Sequence, residues 1–135
     1  MSFTGNYTCN SFKSGLINGG FDFDTDTIKM ALYTNAATLD EDTAAYTTTG
    51  EVSASGYTAG GVTLTVEKGL TNNTAFISFE NVTISAAFTA RGALIYKDGG
   101  AAICVLDFGS DKTSTNTFIV TFPTASSADA LIRLS

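Results

Sequence analysis

The sequence predicts an all-β domain: an antiparallel β-sandwich of about eight strands preceded by a short N-terminal helix. Three observations lead there. Threonine supplies about one residue in six, and with Val, Ile, Phe and Tyr it suits a pleated, half-buried surface. Apolar residues recur with period two in short runs, spaced roughly ten residues apart in the second half, which is the rhythm of a sandwich or barrel. Charged residues make up only 15% of the chain, too few for long solvated helices laced by charge pairs. At 135 residues the chain suits a single domain, 1–135, with one core.

The elements follow in order. Phe12, Leu16 and Ile17 share a helical face, and Gly19-Gly20 stops the helix after about two turns. Residues 27–34 alternate, with Ile28, Met30 and Leu32 on one face and Lys29, Ala31 and Tyr33 on the other, so a half-buried strand is expected. Residues 35–61 lack a sustained period. A connection this long is unusual and often functional, and a helical turn is expected near residues 42–46. Tyr57, in its glycine-rich part, is expected to be exposed. Val62, Leu64 and Val66 alternate before a turn read at Lys68-Gly69, followed by strands over residues 75–79 and from Asn81 through Phe88. Asp98-Gly99-Gly100 marks a hairpin between residues 92–97 and 102–108. Phe118, Val120 and Phe122 share a face that Pro123 terminates, and Ile132 and Leu134 alternate with Arg133 in a last strand. The expected core is Ile28, Met30, Leu32, Val62, Leu64, Val82, Ile84, Ile95, Ile103, Val105, Phe118, Val120 and Ile132.

Composition excludes several functions. A net charge of −6, with basic residues scattered singly, supplies no stripe for a phosphate backbone and no cluster for an anionic membrane, so no nucleic acid and no membrane partner is expected. No apolar run approaches the roughly 18 residues of a membrane span, and no signal segment opens the chain. Without histidine, the Ser-His-Asp and Cys-His arrangements cannot be built. No phosphate-binding glycine loop occurs. Asp22, Asp24 and Asp26 alternate at the spacing of calcium ligands, but Thr27 and Tyr33 stand where a helix-loop-helix calcium site needs Gly and Glu. They are expected instead to form a solvated turn anchored by Phe21 and Phe23. Glu51, Glu67, Glu80 and Asp107 carry no sign of a facing carboxylate pair. No catalytic residue, cofactor or metal is therefore expected. Cys104, in an apolar strand, is expected as a buried reduced thiol that Cys9 does not pair with.

The segment DTIKMALYTNAATLDEDTAAYTTTGEVSASGYTAGGVTLT, residues 26–65, resembles small virion proteins of tailed bacteriophages, and FKSGLINGGFDFDTDT before it looks like their short helix and loop. The likeness is greatest to the cement, or capsid decoration, proteins of short-tailed phages. It implies a jelly-roll-like sandwich bound to the outer surface of the major capsid protein lattice, made in the host cytoplasm. A tail-fibre or baseplate component binding host glycans is the alternative, and the absence of tryptophan weighs against it. Few lysines and prolines guard the strand edges expected here, so a homo-oligomer, by default a dimer, is expected to cover them. Phe3, Tyr7 and Phe12 are the expected partner contact.

Overall fold

The computed structural model describes residues 5–134, and in them the predicted periodicity becomes ten strands and one helix. Strand β1 (Tyr7–Thr8) leads into α1 (Asn10–Ile17), and β2 (Ile28–Tyr33) follows. After a long connection come β3 (Val62–Thr63), β4 (Val66–Thr71), β5 (Thr74–Phe79) and β6 (Val82–Ile84). The chain ends with β7 (Thr89–Lys97), β8 (Ala102–Thr113), β9 (Phe118–Val120) and β10 (Ile132–Leu134). Every strand pairing is antiparallel. The strands form a five-stranded sheet in the order β1-β8-β7-β2-β3, a three-stranded sheet β10-β5-β4 and the pair β6-β9.

The main core joins the inner face of the five-stranded sheet, through Met30, Leu32 and Ile95, to Phe79 of β5, Ile84 of β6 and Phe118 and Val120 of β9. Each such side chain contributes about 1.5–3 kcal/mol by leaving water. Of the expected core, Val62, Val82 and Ile132 are only partly buried at its margin. A second cluster covers the opposite face of the five-stranded sheet, with Ala31, Tyr33, Leu94 and Val105 packed under Ala37 and Leu39 of the long connection. Strand β2 is therefore buried on both faces, not on one as its alternation suggested. Lys29 was a misleading guide, because only that position on the outer face is partly exposed.

Several local expectations are corrected. Phe12 is 1% exposed, but Leu16 and Ile17 on the predicted helix face are 38% and 88% exposed, because α1 touches the core through one side chain. Asn18 closes the helix, and Gly19, at φ +72°, turns the chain away. No helix forms at residues 42–46; Ala45 instead bridges Ala101 beside the hairpin end. Lys68 and Gly69 lie inside β4, and the turn is two residues later at Asn72 and Asn73, both left-handed at φ +52° and +68°. That is the signature of a two-residue type I′ hairpin, closed by the Thr71–Thr74 pair. The Asp98-Gly99 hairpin is present, with Gly99 at φ +73°. A register shift after Ile95 leaves Ile103 as an extra residue, so Ile103 and Cys104 both serve the main core while Val105 faces the outer cluster.

Candidate interaction surface

A constellation of polar side chains lies where the long connection returns to β2. Glu51 bridges Tyr33 as an isolated strand pair, and the Val52 N–H donates to the Leu32 carbonyl. The Glu51 side chain is thereby fixed beneath the glycine-rich bend. Its Oε1 accepts from the Tyr46 hydroxyl at 2.6 Å, and its Oε2 accepts from the Tyr57 hydroxyl at 2.6 Å and the Gly60 N–H at 2.8 Å. The Tyr57 oxygen also accepts from the Leu32 N–H at 2.9 Å. Tyr96 donates to the Gly60 carbonyl at 2.6 Å and stacks on Tyr46. Gly61 completes the bend at φ +83°, where a Cβ would lie 1.8 Å from the Met30 carbonyl oxygen.

Burial, reinforced by Glu51, pushes Tyr46 up to about 12, and burial with the charges of Asp98 and Glu51 does the same for Tyr96. Tyr57 is raised further, first by burial and then by Glu51. These phenols are held as neutral donors, so the network acts as a clamp on the connection. Tyr57, expected at the surface, is buried at its centre.

Of the other candidate carboxylates, Glu67 and Glu80 are exposed and line one groove beside Phe79 and Phe122, whereas Asp107 is engaged in the fold. Asp107 meets Arg91 at 3.2 Å and accepts from the Gly109 N–H. In the acidic segment, Asp22 Oδ1 accepts from the Asp24 N–H, which lowers its pKa, and Asp26 Oδ2 accepts from the Asp22 N–H. Lys68 meets Asp24 at 2.8 Å and Lys97 meets Asp26 at 3.3 Å. Phe21 and Phe23 pack edge-on against Phe12 and anchor the segment as expected. Among the described residues no group of three or more His, Cys, Asp or Glu is placed to hold a metal. Cys9 and Cys104 are free thiols in different clusters, and burial pushes Cys9 up to about 11 and Cys104 higher.

The expected contact residues fare differently. Phe3 lies outside the described residues. Tyr7, half-buried on β1, pairs with Val105 and packs against the outer cluster. Phe12 packs in the main core at 1% exposure, and what remains of its surface lines the groove between α1 and β10.

The apolar surface lies beside the N-terminal segment. Among the described residues the exposed large hydrophobics are Leu16, Ile17, Leu70, Ile119 and Leu134. Two grooves join three of them. The first lies between α1 and β10, with Thr8, Phe12, Lys13 and Leu16 on one side and Leu131, Ile132, Arg133 and Leu134 on the other. The second runs over β10, β5 and β4 and shares Ile132 and Leu134 with the first. In it Leu70, Ala75 and Leu134 are direct cross-strand neighbours. This row continues the sheet face whose base, Val66, Ile77 and Phe79, packs on the core. Leu70 and Leu134 remain 72% and 51% exposed because the row extends past the core. Period-two reading located Leu134, but the displaced turn hid Leu70. No protein-family model, curated protein or solved structure matches the chain.

Proposed function

We propose that the protein is a capsid cement protein that binds the outer surface of the major capsid protein lattice of a tailed phage, with a homodimer as its default assembly and no catalytic role. The observation that carries this reading is the exposed apolar surface on α1, β4 and β10, set beside the edge of β10 that pairs with no strand among the described residues. A monomeric domain rarely leaves contiguous apolar patches uncovered, and large ones mark interaction sites. A stable contact there would bury about 1,200–2,000 Å² in total. The resemblance of residues 26–65 to phage virion proteins supports the same assignment.

A protein that binds the assembled lattice and not its loose subunits shifts the equilibrium toward the shell. Particles produced without it should therefore melt at lower temperature and lose DNA earlier, and adding the purified protein should restore both. Copy number per particle should follow the capsid lattice. If particles with and without the protein melt and retain DNA identically, a tail role replaces this one.

A further inference from the structure

We infer that the groove between α1 and β10 takes an extended acidic segment of a partner protein, added as a strand to the free edge of β10. This deepens the reading of the chain as a protein-binding module and rests on it. Among the described residues β10 pairs on one side only, with β5, so its other edge presents unpaired backbone groups. No β5 residue lines the groove along it; the facing wall is α1 with Thr8 of β1. A strand entering there would find main-chain partners along β10, the source of affinity in strand addition. Its alternate side chains would extend the apolar row of Leu70, Ala75 and Leu134.

Charge selects the occupant. The protein carries −6 overall, yet among the described residues no Asp or Glu lines either groove, and Lys13 and Arg133 flank the edge. Lys68 is already matched by Asp24, whereas Lys13 and Arg133 have no ion-pair partner among the described residues. Lys13 reaches the Asn10 side chain and Arg133 the Ala128 carbonyl, both neutral acceptors. A second copy docked through the same edge would set Lys13 and Arg133 against their own counterparts, so the local charge pattern favours a different, acidic chain.

The test uses the full-length protein and, as probe, a capped peptide of alternating valine and glutamate, with a lysine-for-glutamate peptide as control. The glutamate peptide should shift the backbone amide resonances of β10 and α1, more weakly as salt is raised, and the lysine peptide should not. The variant K13Q/R133Q, altered only at exposed positions, should bind about five- to tenfold more weakly, while K112E, with the same change in net charge, should bind as the parent does. Absent shifts, or shifts elsewhere, overturn the inference. Concentration-dependent shifts of β10 without peptide would replace the partner with a second copy, and tighter binding to phosphatidylglycerol vesicles would replace it with a lipid surface. If the parent protein and K13Q/R133Q bind shells equally, this inference fails and the cement reading stands. If the parent binds the peptide but not shells, the cement reading fails alone.

Discussion

Tyr57 concentrates the residue-scale lessons. Its hydroxyl donates to Glu51 and accepts from the Leu32 N–H, so one oxygen ties the connection to the central strand β2. Tyr57→Phe keeps the ring against Phe88 but leaves the buried Leu32 amide unpaired. That should cost about 1–3 kcal/mol, read as a lower midpoint in urea with an unchanged slope; an unchanged midpoint would mean that the clamp contributes nothing. The sequence marked Tyr57 as exposed because glycines surround it, and nothing local shows that Glu51, six residues earlier, returns to meet it. The same clamp gives a pH dependence. Tyr46 and Tyr96 are raised from 10.0 to about 12 in the folded protein, so their contribution is fully present below pH 10 and is lost as pH rises toward 12. Cys9, raised from 9.0 to about 11, adds to the loss from pH 9 upward. Thermal melts from pH 8 to pH 12 should show a midpoint falling through this window, with tyrosinate absorbance appearing alongside unfolding. Free tyrosinate formation well below the loss of structure would contradict the clamp.

Elements were legible where apolar alternation was regular and hidden where backbone geometry decided. Strands β2, β5, β7 and β9 sit close to where periodicity placed them. The β4–β5 hairpin was misread because Gly69 resembled turn punctuation. It lies instead under the Phe76 ring, where a Cβ would come 2.7 Å from that ring's Cζ. The true turn uses Asn72 and Asn73, since asparagine tolerates the left-handed region better than most side chains do. Glycine at the second position suits type I′ geometry better still, so Asn73→Gly should raise stability by about 0.5 kcal/mol in denaturant titration. Destabilisation would indicate that Asn73 has a role beyond the turn. The bulge at Ile103 was equally invisible, because Ile103, Cys104 and Val105 are all apolar and no polar residue reveals a change of phase. Likewise, the candidate surface was half legible: exposed Leu134 follows from alternation, but Leu16 and Ile17 look like core until α1 is seen to dock through Phe12 alone.

Across the whole molecule, stability and the proposed binding surface occupy opposite parts of the fold. Strands β2, β7 and β8 are adjacent in one sheet and serve both clusters, the inner one through Met30, Ile95 and Ile103 and the outer one through Tyr33, Leu94 and Val105. Opening any of them exposes both faces at once, so their amides should exchange only by global unfolding, which for a domain of this size costs roughly 5–15 kcal/mol. Among the described residues strand β10 has three residues and one paired neighbour, and the tip of the β4–β5 hairpin stands clear of the core. These should exchange first, through local opening. Hydrogen exchange followed by mass spectrometry should therefore rank β10 and residues 70–74 as fastest among the strands and β2 as slowest. Adding undecorated shells should slow β10 and leave β2 unchanged, because a partner that binds a fraying edge stabilises the closed form of that edge. Slow exchange at β10 in the isolated protein would mean that its edge is already covered, and the surface proposed here would then have no open strand to offer.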